Sequence, residues 1–297
     1  MVRLTTSCNL GCEHCTITDI LHLGERSAKD CAAEILQGRK DGCTELVFMR
    51  GEATSRSELP SLVRFAKKAG YQLIQLQTNG RMLSHRPYYD RLIGDGVNFF
   101  ELTIFGSTAQ RHDAIAKETG AFEQTMAGLG HIVETGVAHM VTVPVIKKTV
   151  DDLLAMTQLL SAAGAQQIQF NFNRPFKADG DWFLDPVPRL DDCTPAVRVA
   201  IRRARELGMW ATTEAIPLCH LDPDEHTRFS GDVHTDFSKF QVSDIHIKTD
   251  SMAEHRKDSR PTSDACAGCL HERYCPRTWK AYQELFGTGE FRRVLGA

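Results

Sequence analysis

Residues 2–15, Val-Arg-Leu-Thr-Thr-Ser-Cys-Asn-Leu-Gly-Cys-Glu-His-Cys, join a short strand-like stretch to three closely spaced cysteines. Because Cys8, Cys12 and Cys15 follow that stretch directly, we expect them in a loop at the end of a strand. Three thiolates at this spacing can bind three irons of an iron–sulfur cubane, and Gly11 lets the loop wrap tightly. With no fourth protein ligand nearby, one iron would stay open to an exogenous chelator. Three cysteines alone suit structural zinc poorly, because such sites are closed and four-coordinate.

Beyond this loop, strand-like and helix-like segments alternate up to about residue 213. Runs rich in apolar and β-branched residues predict strands at 2–5, 45–49, 71–77, 98–105, 138–146 and 168–173. Amphipathic stretches predict helices, among them 28–41 with Ser27 as N-cap, 59–69 before Gly70 and 121–135 before Gly136. Regular alternation of this kind predicts an α/β fold, a partial (β/α)6 TIM barrel whose chemistry lies at the carboxyl ends of the strands.

Composition narrows the class of protein. The 297 residues are 42% hydrophobic and 25% charged, with a formal net charge of −3, which lacks the basic excess of a nucleic-acid binder. We find no apolar run long enough to span a bilayer and no secretory signal, so we predict a cytoplasmic protein without membrane attachment. Clustered thiols in a reducing compartment indicate metal ligands rather than disulfides.

The sequence changes character near residue 213, where we place a boundary between a barrel domain, 1–213, and a small domain, 214–297. Residues 240–247 are predicted to form a strand or one arm of a hairpin, and residues 277–286 a short helix. Cys266, Cys269 and Cys275 form a second metal-ligand pattern, and Cys219 is available as a fourth thiolate. Zinc is the rival interpretation, with nitrogen ligands available from several histidines: His220, His226, His234 and His271.

The CxxxCxxC pattern after the first strand resembles the signature of the radical S-adenosylmethionine (SAM) superfamily. The resemblance implies a [4Fe–4S] cluster whose open iron is chelated by SAM. Reductive cleavage of SAM then gives a 5′-deoxyadenosyl radical that abstracts hydrogen from a substrate. A flavodoxin- or ferredoxin-type reductant is implied as the electron donor. One departure is His14, which stands where relatives usually carry an aromatic residue, and it could stack over the cluster or the adenine.

Further motifs resemble positions that contact SAM in this family. Gly51 and Glu52 match the motif whose glutamate and backbone carbonyl hold the SAM ammonium group, whereas Arg50 and Ala53 replace its first glycine and its proline. The Thr78-Asn79-Gly80 turn matches the end of the third strand. The remaining predicted SAM contacts lie at the ends of later strands: Thr103, Asn171 and Asn173.

The second cysteine pattern resembles the twitch domain, a shortened SPASM domain, which implies an auxiliary [4Fe–4S] cluster bound by Cys219, Cys266, Cys269 and Cys275. An auxiliary cluster implies a net oxidation, and hence an oxidoreductase, because it can accept an electron from the substrate radical. The other cysteines, Cys31, Cys43 and Cys193, are predicted to be plain thiols.

These observations predict a radical SAM enzyme that performs an oxidation or a crosslink in ribosomal peptide maturation. Peptide-modifying relatives often carry an N-terminal recognition domain, and this sequence begins within its first strand, so a separate protein would supply that role. The alternative is a dehydrogenase of a small molecule such as an aminocyclitol or sugar. A different class, a non-catalytic iron–sulfur electron carrier, would need neither the open three-cysteine site nor the Gly51-Glu52 match.

Overall fold

The computed structural model of the chain describes residues 1–178, 181–223, 242–243, 248–249 and 252–295. Its strands are β1 (Val2–Arg3), β2 (Glu45–Met49), β3 (Leu73–Thr78), β4 (Phe99–Thr103), β5 (Ala138–Val145), β6 (Gln167–Phe172), β7 (Phe176–Ala178), β8 (Asp181–Phe183), β9 (Trp210–Glu214), β10 (Val242–Ser243) and β11 (Lys248–Thr249). Its α-helices are α1 (Ala28–Lys40), α2 (Leu59–Lys68), α3 (Arg86–Asp95), α4 (Ala109–Ala116), α5 (Ala121–Thr135), α6 (Leu153–Ala162), α7 (Leu190–Glu206), α8 (Met252–Ser259) and α9 (Lys280–Phe286).

Nine of the described strands form one sheet in the spatial order β11-β10-β1-β2-β3-β4-β5-β6-β9. Eight consecutive strands in this order, β10, β1 to β6 and β9, run parallel, and β11 pairs antiparallel with β10 at the edge. Helices connect the parallel strands, so the predicted α/β fold of the partial-barrel type is confirmed. The carboxyl ends of the parallel strands therefore meet at one edge of the sheet.

The structure adds one parallel strand, β9, after the six that the sequence predicts in the barrel. Its residues, Trp210–Glu214, carry few apolar side chains, which is why the sequence pattern did not reveal it. The short antiparallel pair formed by β7 and β8 was also missed. The predicted domain boundary at residue 213 falls within β9 and stays a prediction. Most of the predicted strand at 240–247 lies outside the described residues, but Val242–Ser243 does form β10.

Side chains alternate between the two faces of the sheet. On the outer face, Phe48, Phe100 and Phe170 are fully buried, and Phe100 stacks on Tyr89 of α3 with ring centroids 5.7 Å apart. On the inner face the same strands carry polar residues such as Glu101. Because successive residues of a strand point to opposite faces, the helices cover an apolar layer while the inner face stays polar.

Local sequence signals set the helix ends. Ser27 caps α1, since its hydroxyl accepts a hydrogen bond from the backbone N–H of Asp30. Helix α5 spans the predicted residues and ends at Gly136, whose φ of +67° lies in the left-handed region that glycine adopts readily.

The C-terminal segment packs against the parallel sheet and α7. The indole N–H of Trp279 donates to the carbonyl of Phe172 at the end of β6, at 2.8 Å. Tyr282 of α9 is fully buried, and its hydroxyl accepts from the backbone N–H of Leu190 at 2.9 Å and donates to Glu290. None of the helices in the described part of the chain has both the length and the apolar character needed to cross a bilayer.

Candidate active site

The cysteine loop leaves β1 at the carboxyl edge of the sheet and is held by backbone hydrogen bonds. The N–H of Gly11 donates to the carbonyl of Ala116 at 3.0 Å, and that of Glu13 donates to the carbonyl of Ile115 at 3.3 Å. Both carbonyls lie at the end of α4. The loop that carries the three predicted ligands is therefore docked on the β4–α5 side of the barrel.

The three thiols of this loop lie close enough to influence one another. Burial, together with the charges of neighbouring cysteines, raises the pKa of Cys8 to about 11 and that of Cys12 to about 12. A thiolate here is unfavourable without a compensating cation, which is what bound iron would supply. Within the described residues, no three Cys, His, Asp or Glu side chains converge as the ligands of one single ion.

His14 lies inside the loop and is buried. Its ring packs edge-on against Phe105, with centroids 5.0 Å apart, and its Nδ1 has no hydrogen-bond partner in the described part of the chain. Burial lowers the pKa of His14 to about 4, so the ring is neutral. Phe105 in turn packs on His112, so His14 belongs to an aromatic cluster beneath the cysteine loop.

The loop after β2 approaches the cysteine loop closely. Gly51 has a φ of +55°, and a Cβ at this position would lie 2.4 Å from the carbonyl oxygen of Ser7 and 2.7 Å from that of Thr5. The N–H of Glu52 donates to the same Ser7 carbonyl at 2.8 Å. Glycine is therefore required at residue 51 for both its backbone conformation and its lack of a side chain.

Glu52 ties the ends of β2 and β3 together. It is 1% exposed, and its Oε1 accepts from the Thr54 N–H and from the hydroxyls of Thr54 and Thr78. Its Oε2 accepts from the N–H of Asn79 at 2.8 Å. Burial raises the pKa of Glu52, and these donors oppose the shift. The structure thus brings Gly51, Glu52 and Thr78 together beside the cysteine loop.

The turn after β3 contacts the cysteine loop through two residues. The Asn79 side-chain amide donates to Asn9 Oδ1 at 2.7 Å and lies 3.9 Å from the sulfur of Cys8. The Arg81 guanidinium donates to the Asn9 carbonyl, and it also binds Glu118 at 2.9 Å and Gln124 at 2.7 Å. Sequence analysis missed Arg81, because its distance from the cysteines in the chain gives no local signal.

Thr103 is the last residue of β4 and Asn171 lies near the end of β6, whereas Asn173 directly follows β6 instead of lying within it as predicted. Asn171 is not free, since its amide donates to Glu214 Oε2 at 2.6 Å. The Asn173 amide contacts the neighbouring carbonyl of Arg174 at 3.4 Å. Their contact with SAM stays a prediction.

A polar cluster lines the inner face of the barrel below this edge. Gln75 and Gln77 donate to Glu101 Oε2 at 2.8 and 2.7 Å, and the Thr142 hydroxyl donates to Oε1 at 3.0 Å. Burial raises the pKa of Glu101, and the charge of Glu214 adds to the shift. Strand β9 is three places from β4 in the sheet, which is about 14 Å in a flat sheet, so this interaction reflects the curvature of the barrel. Sequence analysis missed the cluster, although the polar residues of β3 alternate with apolar ones.

The second cysteine set comes together across a long stretch of chain. Cys219 follows β9 in a short 3₁₀ segment, and it lines one cavity of about 450 Å³, counted with its open mouth, together with Cys266, Cys269 and Cys275. The N–H of Leu218 donates to the sulfur of Cys275 at 3.4 Å. Burial raises the pKa of Cys275 to about 11, and it also raises the pKa of Cys219.

The histidines of the zinc interpretation lie in different places. His271 lines the same cavity, but its Nδ1 is hydrogen-bonded to the Tyr274 hydroxyl at 2.6 Å. His220 is buried against Thr194 and Asp191 of α7. His226 and His234 lie outside the described residues. Cys193 is fully buried in α7 and Cys31 in α1, as expected for plain thiols.

Known proteins are similar in sequence to part of this chain. Residues 2–160 match the sequence model of the radical SAM superfamily. The AdoMet-dependent heme synthase of Methanosarcina barkeri is 27% identical over 55% of this chain and 47% of its own length. The PqqA peptide cyclase of Ruegeria pomeroyi is 27% identical over 57% of this chain and 45% of its own length. The matched region therefore spans about half the length of these curated relatives.

Solved structures extend the similarity of fold beyond the region of sequence similarity. The native anSMEcpe structure with bound AdoMet and Cp18Cys peptide has a TM-score of 0.65 at 12% identity, covering 99% of this chain and 91% of the other. Streptococcus suis SuiB bound to the precursor peptide SuiA has a TM-score of 0.59 at 14% identity, covering 72% and 48%. Because the superfamily model matches more than half of the sequence, over the region that holds the cysteine loop and Glu52, this chain belongs to the radical SAM superfamily.

Proposed function

We propose that this chain is a radical SAM oxidoreductase that removes a hydrogen atom from a substrate held inside the barrel, and that it carries a second cluster in its C-terminal segment. When bound, the first cluster supplies the electron that splits SAM into methionine and a 5′-deoxyadenosyl radical, and the second accepts the electron left on the substrate. The observation that carries the proposal is the presence of two separate cysteine sets, one at the carboxyl edge of the sheet and one on a segment docked against it.

The residues around the first set suit this chemistry. Asn79 and Arg81 hold the loop of Cys8 from one side, and the end of α4 holds it from the other. Glu52 Oε2 accepts one hydrogen bond from the described residues and keeps capacity for another donor, such as the SAM ammonium group. The aromatic residue Phe105 packs against His14 of the loop, and Cys12 packs against the same apolar cluster as Phe105.

The residues around the second set suit a polynuclear cluster better than one zinc ion. A zinc ion needs four ligand atoms within about 2.3 Å of a single point. Here the four thiols surround a cavity instead, and no three ligand side chains of the described residues converge on one ion. The role of Cys219 as the fourth ligand is supported by its place in the same cavity as the other three cysteines.

The substrate class follows from the inner face of the barrel. Ribosomal peptide maturation is supported by the sequence similarity to the PqqA peptide cyclase. The anSMEcpe and SuiB structures contain bound peptides, but their similarity to this chain is evidence for the fold only. The heme synthase relative would suggest a tetrapyrrole. A large, apolar and anionic tetrapyrrole fits poorly against Glu101, whose carboxylate is surrounded by the amides of Gln75 and Gln77 and the hydroxyl of Thr142. The polar inner face therefore supports a polar substrate, either a ribosomal peptide or, as the second candidate, a small polar molecule oxidised by a dehydrogenase, over a tetrapyrrole.

Anaerobic reconstitution tests the proposal and excludes an electron carrier. The wild-type chain should bind about eight irons, and Cys266→Ser should bind about four. Cys193→Ser is the matched control, because Cys193 is a buried thiol of α7 that does not line the cavity of the second cysteine set, and it should keep the wild-type iron content. Reduction with dithionite in the presence of SAM should yield 5′-deoxyadenosine from all three proteins.

Two outcomes would contradict the proposal. A wild-type protein that binds iron but forms no 5′-deoxyadenosine would be an electron carrier. If Cys266→Ser keeps the full iron content, the second cysteine set does not hold a cluster. The same conclusion follows if the wild-type protein binds one zinc ion in place of the second four irons. Once a product is known, Cys269→Ala and Cys275→Ala should abolish it while 5′-deoxyadenosine still forms.

A further inference from the structure

The cavity of the second cysteine set is lined by two residues that carry buried, unsatisfied hydrogen-bond donors. Thr278 is 0% exposed, and its hydroxyl has no partner among the described residues. The Nε–H of Arg277 is also buried and without a partner there, although Nη2 of the same guanidinium donates to the Glu272 carbonyl at 2.9 Å. Both residues line the cavity together with all four thiols of the set. Because buried polar groups are nearly always hydrogen-bonded, the two donors indicate an acceptor that binds in this cavity.

The backbone around these residues already donates to a thiol of the set. The N–H of Leu218 donates to the Cys275 sulfur at 3.4 Å. Burial raises the pKa of Cys275, whereas hydrogen bonds from the backbone of Leu218 and Arg277 lower it. Arg277 has a φ of +57°, a left-handed conformation that is unfavourable for residues other than glycine. Such strain is concentrated at functional sites, because the surrounding structure must enforce it.

The chemistry of the cavity determines which acceptor fits. Sulfur atoms that carry negative charge accept hydrogen bonds, and four buried thiolates with their irons would bring several of them into this space. Hydrogen bonds to the sulfurs of an iron–sulfur cluster stabilise the extra negative charge of the reduced state, so they raise the reduction potential. A neutral hydroxyl and a guanidinium both act in this direction, and the guanidinium adds a positive charge.

We infer that Thr278 and Arg277 donate hydrogen bonds to sulfur atoms of the cluster that the second cysteine set would hold, and thereby raise its reduction potential. This inference rests on the proposed function, because it requires a cluster at the second set. It adds a physical reason why this set can take up an electron from a substrate radical. The hydroxyl and the guanidinium stabilise the product of a one-electron reduction, in which the electron comes from the substrate in turnover or from dithionite in a titration.

A redox titration followed by electron paramagnetic resonance measures the potential directly. All samples carry Cys12→Ala, which removes a ligand of the first cluster, so that the signal comes from the second. Thr278→Val removes the hydroxyl and keeps the shape of the side chain. We expect the equilibrium constant for reduction to fall about tenfold, a shift of about 59 mV to lower potential for one electron. Thr278→Ser keeps the hydroxyl and should retain the parent potential.

Thr213→Val is the matched control for the hydroxyl. Thr213 is 0% exposed and its hydroxyl also has no partner in the described part of the chain, but it lies in β9 and does not line the cavity. Its valine variant should keep the parent potential. Thr278→Val should also keep the parent urea midpoint in the metal-free state, since the hydroxyl it removes has no protein partner to lose. A purely structural role of Thr278 would lower that midpoint and leave the potential unchanged.

A second pair of variants tests the guanidinium and protects the test against a failure of Thr278→Val to bind iron. Arg277→Gln removes the Nε donor and the charge, and it should also shift the potential downward. Arg273→Gln removes the same charge from an exposed residue of the same segment that does not line the cavity, so it should shift the potential less. If Thr278→Val binds less iron than the parent, the difference between Arg277→Gln and Arg273→Gln decides.

The iron content separates this inference from the proposed function. A parent protein that binds no iron at the second set would remove the second cluster itself. About four irons per chain, with a potential that neither Thr278→Val nor Arg277→Gln changes, would overturn the inference alone, and buried water would then satisfy the two donors. An equal shift in Thr213→Val would overturn it as well, because the effect would not depend on the cavity.

Discussion

Substitution of Gly51 by alanine should displace the cysteine loop. An L-residue pays about 1–2 kcal/mol for left-handed backbone, and Gly51 has a φ of +55°. The new Cβ would also lie 2.4 Å from the Ser7 carbonyl oxygen and 2.7 Å from that of Thr5, contacts that backbone movement must relieve. Overpacking of this kind typically adds about 1–3 kcal/mol. We therefore expect Gly51→Ala to lower the free energy of unfolding by about 2–5 kcal/mol.

Gly136→Ala is the matched control, because it isolates the backbone contribution. Gly136 has a φ of +67°, and a Cβ there would meet nothing within 4 Å. Its alanine variant should lose only about 1–2 kcal/mol. Urea unfolding of the metal-free proteins, followed by circular dichroism, gives both values on the same scale.

The two variants should differ in cluster assembly as well as in stability. Gly51→Ala moves the backbone that leads into Cys8 and displaces Glu52, so it should bind less iron on the first set and show a spectrum unchanged by SAM. Gly136→Ala should keep the wild-type iron content and the response to SAM. If both variants lose the same stability and both keep a cluster that responds to SAM, the cysteine loop and the loop after β2 do not approach each other as closely as described.

Three further changes test other parts of the site. Arg81→Lys keeps the charge but loses the forked contact, so it should lower the iron content after reconstitution and weaken the spectral response to SAM, whereas Arg86→Lys on the surface should not. Burial lowers the pKa of His112 from 6.5 to about 4. Between these pH values the unfolded chain binds a proton that the native chain does not, so the free energy of unfolding should fall by up to about 3 kcal/mol as the pH drops from 6.5 to 4. His112→Asn should flatten this pH dependence in unfolding curves recorded from pH 7 to 4. Tyr282→Phe removes the hydroxyl that bonds Glu290 and should lower the free energy of unfolding by about 1–3 kcal/mol in urea titrations, and an unchanged midpoint would contradict the buried contact.

The first cysteine set and the barrel were predictable because their signals are local. Cys8, Cys12 and Cys15 lie within eight residues, and each strand or helix shows its period within its own length. Gly51 and Glu52 were also identified, because they follow a strand directly. Local patterns therefore located the edge of the sheet where the site forms.

The polar cluster around Glu101 in the barrel lumen and the contacts of Arg81 were not predictable, because they join residues that are distant in the sequence. The donors to Glu101 come from β3 and β5, up to 41 residues away in the chain. Whether a glutamate in β4 faces solvent, helix or lumen depends on strand order and on curvature, and neither is encoded in one strand. Arg81 contacts Asn9 across 72 residues, which only the pairing of β1 through β2 with β3 brings together.

Side-chain contacts join the lumen, meaning the inner face of the barrel around Glu101 and Glu214, to the segment that carries the second cysteine set. These contacts affect how cysteine variants must be interpreted. Arg260, which binds Glu214, also lies 4.0 Å from the ring of Trp279, and Trp279 is bonded to the end of β6. Both residues flank the segment that holds Cys266 to Cys275. A chain that lacks the second cluster can therefore lose the partner of Glu214 as well as an electron acceptor. Arg260→Lys separates the two effects, because it disturbs the lumen while all four thiols remain. If Cys269→Ala abolishes product and Arg260→Lys with full iron content does not, electron acceptance accounts for the loss; if both abolish it, the organisation of the lumen does.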